Sequence, residues 1–178
     1  MHALIVGPIQ VGKSTLIHRV LDEIGMPVFG FETKKEEALA DQALGSPVYI
    51  YEAGKPHVRQ ADNLVAHCGQ WCGGWRKSVY TEAFDRFAPK LASPPAGHIV
   101  VMDEIGFMES SSPRFCSAIM HLLDGGTPVI AAVKCNSTPF LDAVKRHPNC
   151  RCFEITPENR EALFEEVLAF VKQQSGGK

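Results

Sequence analysis

The sequence predicts an α/β fold, a mainly parallel central sheet flanked by helices, with an irregular insertion around residues 45–78. Three observations predict it. Short all-apolar runs at residues 4–6, 99–102 and 128–133 suit strands buried on both faces. Apolar residues then recur at helical spacing, as Leu16, Ile17, Val20, Leu21 and Ile24 do early in the chain. The first run also passes straight into a glycine-containing loop that opens that helix, so strand and helix alternate as in βαβ units.

The elements follow in order. Residues 4–6 form the first strand and 14–24 the first helix, with Gly25 just past its end, where glycine is favoured. Residues 27–31 form the second strand. Residues 48–51 read as one strand of a hairpin, with Gly54, Lys55 and Pro56 as turn material. Residues 61–77 show no period and read as irregular. Thr81 caps a helix running to Leu91, with Phe84, Phe87 and Leu91 on one face. The central strand at 99–102 precedes a helix at 113–123 that starts with proline. A strand at 128–133, a short helix at 140–146, a strand at 151–155 and a helix at 157–172 complete the series. The polar tail from Gln173 is expected to fray. No repeat or linker appears, so one domain is expected over residues 1–178.

With 178 residues, 45% hydrophobic and 21% charged, the chain has the composition of a globular domain and not of a disordered one. A net charge of −2 leaves no footprint for nucleic acid, and no nucleic-acid partner is expected. No stretch approaches a membrane span or a signal-peptide core, so a cytoplasmic location and no membrane association are expected. The six cysteines are then expected as thiols.

The loop Gly7-Pro8-Ile9-Gln10-Val11-Gly12-Lys13-Ser14, continued by Thr15, fits the pattern GxxxxGK[ST] between a strand and a helix. Glycines let the backbone curl so that its N–H groups face a phosphate, and the helix start adds a positive dipole end. Lys13 is placed to bridge β- and γ-phosphate oxygens and the Ser14 hydroxyl to ligate Mg²⁺, so a nucleoside triphosphate is the expected ligand. The strand at 99–102 ends in Asp103 and Glu104. Asp103 is assigned to the Mg²⁺ shell and Glu104 to the proton of an attacking water, an arrangement that favours hydrolysis. Glu109 reads as a supporting carboxylate or as a second candidate for that role.

Four stretches in order, GPIQVGKST, VFGFET, VVMDEIGFME and ITPENREAL, resemble the nucleoside-triphosphatase family that includes the human cancer-related enzyme and its archaeal and thermophilic bacterial relatives. The family's DEIGxME matches residues 103–109, and its T-x-E-N-R matches residues 156–160. The resemblance implies a RecA-like sandwich around a phosphate loop and slow Mg²⁺-dependent hydrolysis of several nucleoside triphosphates. One departure stands out. After the GF-x-T strand the family carries a charged, glycine-rich stretch with an arginine, whereas here no arginine occurs until Arg59.

Several residues keep two readings. Arg160 contacts a phosphate or the base, or pairs with Glu158 or Glu161 at the surface. Lys134 senses the γ-phosphate from a neighbouring strand end, or is a solvated loop lysine. Thr33 lies near the attacking water, or merely ends its strand. His67, Cys68 and Cys72 with Cys150 and Cys152 hold zinc, or are plain side chains and thiols. Trp71 and Trp75 form a lid or partner surface, or pack over the sheet. Two rival functions remain beside hydrolysis: a small-molecule kinase with its acceptor pocket in the region 45–78, and a nucleotide-gated adaptor that acts through an unspecified protein partner.

Overall fold

The computed structural model of the protein describes residues 1–71 and 74–176; residues 72, 73, 177 and 178, and the side chains at 71 and 75, lie outside the described residues. The elements are β1 (His2–Gly7), α1 (Lys13–Ile24), β2 (Val28–Lys35), β3 (Ser46–Glu52), β4 (Leu64–Trp71), β5 (Gly74–Val79), α2 (Thr81–Phe87), β6 (Ile99–Ile105), α3 (Pro113–Asp124), β7 (Val129–Lys134), α4 (Pro139–Lys145), β8 (Cys150–Glu154) and α5 (Arg160–Ser175). Among the described residues one sheet runs in the order β5-β4-β3-β2-β6-β7-β1-β8. From β2 to β8 every pairing is parallel, while β3, β4 and β5 add on as antiparallel strands. The α/β class with flanking helices therefore stands, with a mixed sheet.

The region 45–78 corrects the sequence reading in part: β3 bears out the hairpin strand expected at 48–51, but β4 and β5 are ordered strands where residues 61–77 read as irregular. β4 buries Val65, Ala66 and Cys68 but carries Gly69 and Gln70, so it lacks a β-branched or aromatic run. Its register also slips against β3 at Val48 and Tyr49. Strand formation here depends on neighbours more than on intrinsic preference, which local reading misses. β5, at the sheet edge, exposes Arg76 and Lys77, charges that discourage edge-to-edge pairing.

Other boundaries move for local reasons. The helix expected from Thr81 to Leu91 stops at Phe87 and continues as a 3₁₀ turn, with no side-chain cap at its start. Pro89 cannot donate a helical hydrogen bond and crowds the preceding turn. α5 starts at Arg160 because Asn159 ties the segment before it, accepting from the Thr156 N–H at 2.8 Å and donating to the Glu154 carbonyl at 2.9 Å. At its other end α5 continues to Ser175, through residues expected to fray.

Helices α1 and α5 cover one face of the sheet; α2, α3 and α4 cover the other. Under α2 and α3, Phe115 lies 5.0 Å from both Phe31 and Phe84, centroid to centroid, with Phe87 at 6.3 Å. All four rings are buried. Phe115→Ala is expected to cost about 3–5 kcal/mol, read as a lower midpoint in urea denaturation; a loss under about 1 kcal/mol would mean the cluster closes around the gap. Among the described residues no helix is long and apolar enough to cross a membrane.

Candidate active site

β1 and β7 pair so that Gly7 stands beside Lys134, and β7 in turn brings the end of β6 alongside. The phosphate loop, the acidic pair and Lys134 thus converge at the carboxyl ends of parallel strands, where such sheets bind ligands. Gly7 is needed for close approach: a Cβ there would lie 2.7 Å from Ile155 Cγ2 and 2.9 Å from its carbonyl oxygen. The loop then turns through Gln10 at φ 61° and Gly12 at φ 102°, and Gly12 caps α1. Together Gln10, Gly12, Lys13, Ser14, Thr15 and Glu104 line an open hollow of about 230 Å³. Pro8 and Ile9 stay exposed on the loop's outside, and Val11 anchors it in the core.

Lys13 is buried, and its Nζ donates to the carbonyls of Gly7 at 3.0 Å and Pro8 at 2.6 Å. Burial lowers its pKa, with Glu104 opposing that shift and the Lys134 charge adding to it. The Ser14 hydroxyl donates to Asp103 Oδ1 at 2.7 Å, which ties the first helical turn to the acidic strand. Burial raises the Asp103 pKa, and the Ser14 bond works against that rise.

Glu104 occupies a bulge that the dipeptide Asp-Glu does not disclose. Asp103 pairs with Ala132 and Ile105 with Val133, so Glu104 is an extra residue, held at φ 139°. Side-chain parity confirms the insertion. Val100 and Met102 face α2 and α3, and Ile99 and Val101 face α1. Ile105 returns to the α2 and α3 side, which an unbroken strand would not allow. Such a φ is uncommon outside glycine and costs on the order of 1–3 kcal/mol, a strain that clusters at functional positions. The Glu104 carboxylate is partly exposed beside the loop, with its Oε2 3.3 Å from Lys134 Nζ.

Around this pair the remaining candidates separate. Glu109 is fully buried, and its Oε2 accepts the Gly106 N–H at 2.8 Å while Oε1 has no partner among the described residues. That makes it a support of the turn after the bulge. Burial pushes its pKa up to about 7, with the Lys134 charge opposing. A carboxyl with a raised folded-state pKa holds its proton on folding. Its stabilising contribution is complete below its unfolded value of 4.5 and is lost as pH rises through about 7. Glu109→Gln, which keeps an acceptor for Gly106, should therefore gain stability over the parent at pH 8 by on the order of a few kcal/mol and gain little at pH 4. Equal gains at both pH values in thermal melts would show that ionisation of Glu109 is not what costs stability.

Thr33 donates to the Asp103 carbonyl at 3.3 Å, so it braces the bulge from β2. Arg160 lies against the loop, its Nε 3.6 Å from where a Gly12 Cβ would sit, while Glu161 pairs with Arg19 at 2.9 Å. One residue escaped the sequence reading. Glu32 is buried in register with Asp103, and its Oε2 meets Lys34 at 3.3 Å and His57 at 3.5 Å. The signal was an acidic residue inside the apolar run before Thr33.

The zinc reading is corrected. Cys68 on β4 and Cys150 on β8 are six strands apart, roughly 29 Å at normal strand spacing. His67 is bound to the Tyr80 hydroxyl at 2.8 Å, and no metal-binding cluster occurs among the described residues. Cys72 lies outside the described residues, as do the Trp71 and Trp75 side chains of the lid reading.

A model of the NTPase family matches residues 2–168. The chain belongs to that family. Its similarity to named members runs nearly end to end. The nucleoside-triphosphatase THEP1 of Pyrococcus abyssi is 31% identical, over 99% of this chain and 95% of its own. The human cancer-related nucleoside-triphosphatase is 27% identical over 96% of both chains. The crystal structure of THEP1 from Aquifex aeolicus superposes with a TM-score of 0.73 at 23% identity, covering 97% of this chain and 99% of that one, which shows the shared fold. The NTPase family thus accounts for the P-loop architecture.

Proposed function

We propose that the chain hydrolyses nucleoside triphosphates of the ATP and GTP type to the diphosphate and phosphate, with Mg²⁺. The observation that carries this reading is the Ser14–Asp103 bond, which joins the phosphate loop to the acidic strand immediately before Glu104. Its hydroxyl and carboxylate are hard oxygen donors that fit Mg²⁺, which when bound would offset negative charge on the β- and γ-phosphates. Lys13 and the loop amides hold those phosphates. Arg160 flanks the loop where it can meet the nucleotide. Glu104 takes a proton from water as the water oxygen bonds the γ-phosphorus. The bond to the bridging oxygen breaks, and that oxygen leaves with the diphosphate.

The kinase alternative needs an acceptor pocket facing the loop. The hollow of about 210 Å³ that includes Ile50, Tyr51 and Glu52 lies at β3, beside Ala83 and Phe87 of α2, and β3 is four strands from β1, roughly 19 Å at normal strand spacing. That placement favours water as acceptor. Use of nucleoside triphosphates fits a cytoplasmic setting.

The test is phosphate release from ATP and GTP in turn, with Mg²⁺ and no added acceptor. Release is expected from the parent protein, with loss on chelation of Mg²⁺. Lys13→Ala is expected to weaken triphosphate binding at least about tenfold, since a charged contact to phosphate is removed. Tight binding of nucleotide without release of phosphate would sink the hydrolase reading.

A further inference from the structure

Lys134 ends β7 with its side chain only 11% exposed, and among the described residues its ion pair is to Glu104 at 3.3 Å. Three features show that it is built into the site. Its backbone is in register with Gly7, the first residue of the phosphate loop. Its stem passes over Gly106, where a Cβ would stand 2.7 Å from Lys134 Cδ. Its charge acts on both Lys13 and the buried Glu109. An ammonium held in low-dielectric surroundings needs an anionic partner, and in this structure the partner is the carboxylate read as the base.

This pairing carries a consequence for the reaction. A carboxylate paired with an ammonium is a weaker base toward water, because the neighbouring positive charge stabilises its ionised form. A terminal phosphate brings more negative charge and three acceptor oxygens into the same cradle, and so competes for the ammonium. We propose that Lys134 senses the terminal phosphate: it holds Glu104 when no triphosphate is bound, and moves to the γ-phosphate of a bound nucleoside triphosphate, leaving Glu104 to accept the proton of the attacking water. Diphosphates, lacking that group, leave the Lys134–Glu104 pair intact. The inference rests on the reading of Glu104 as the base. It makes Lys134 a specificity-determining residue for triphosphate over diphosphate.

The test measures affinity for the imido analogue of ATP and for ADP, both with Mg²⁺, in the parent protein, Lys134→Met, Glu104→Gln and the double variant. Lys134→Met should weaken the triphosphate analogue by at least about tenfold and leave ADP within about twofold. Glu104→Gln should tighten the analogue, because Lys134 is no longer held, and that gain should vanish in the double variant. Lys134→Arg, which keeps the charge, should recover part of the discrimination. Gly106→Ala, which crowds the lysine stem without removing its charge, should erode it. A triphosphate-to-diphosphate ratio unchanged in Lys134→Met overturns the proposal. So does an equal weakening of both ligands, which would mark Lys134 as a structural brace for the bulge. Turnover of Glu104→Gln at saturating ATP judges the base separately: full turnover there removes Glu104 as base, while the affinity ratio still decides what Lys134 senses.

Discussion

Glu104→Gln should lower phosphate release at saturating nucleotide by about 10²–10⁴-fold while nucleotide binding persists, because the amide keeps the shape of the side chain and removes its basicity. The backbone supplies a second arm to the experiment. Glu104 is held at φ 139° as the extra residue of the β6 bulge. Glycine adopts that conformation without steric cost. Glu104→Gly should therefore be as inactive as Glu104→Gln yet more stable than it by about 1–3 kcal/mol, less the entropy glycine adds to the unfolded chain. Thermal melts of the two variants side by side give the comparison. If both are inactive and the glycine variant is clearly the more stable, strain at the catalytic position is maintained by function. If Glu104→Gln releases phosphate at the parent rate, the base lies elsewhere, and Glu109 is too deeply buried to replace it.

Gly30→Ala should be the most damaging substitution for the fold. Gly30 lies within β2 at φ 125°, in register with Val101 of β6. A Cβ built there would sit 2.0 Å from the Val101 carbonyl oxygen and 3.0 Å from its carbon. These are backbone atoms of a buried central strand, so no side-chain rotation relieves the clash. The strands must separate by about 1 Å or β2 must twist, and either change breaks ladder bonds in the sheet interior. A loss above about 4 kcal/mol is expected, enough to leave a domain of ordinary stability largely unfolded. Two positions along, β2 aligns Glu32 with Asp103, so whatever fraction folds should also bind nucleotide poorly. Gly126 is the control: its Cβ would meet nothing within 4 Å, and Gly126→Ala should melt within a few degrees of the parent. A Gly30→Ala protein that melts like the parent would mean that β2 and β6 are less rigidly joined than their register implies.

The phosphate loop was legible in the sequence because its demands are local. Gly7, Gly12, Lys13 and Ser14 act through positions a few residues apart, between a strand and a helix that their neighbours already encode. The acidic pair was legible for a similar reason: an all-apolar strand ending in Asp103 and Glu104 delivers carboxylates to one end of a sheet. The parallel half of the sheet followed from those runs. Of its antiparallel half only β3 was legible, as the hairpin strand at 48–51; β4 and β5 contain little intrinsic strand preference and form by adding in turn onto β3.

What only the tertiary structure decided is which strand ends stand side by side. Neither the placement of β7 between β1 and β6 nor the extra residue at Glu104 can be read from the order of residues, yet the first brings Lys134 to Glu104 and the second aims Glu104 at the loop. The same holds for Glu109, whose burial raises its pKa, and for Gly30, whose missing side chain lets two backbones meet. Local geometry is written in short stretches of sequence and can be read there. Electrostatic pairing and close backbone approach depend on distances between residues far apart in the chain, and those distances exist only once the sheet has assembled.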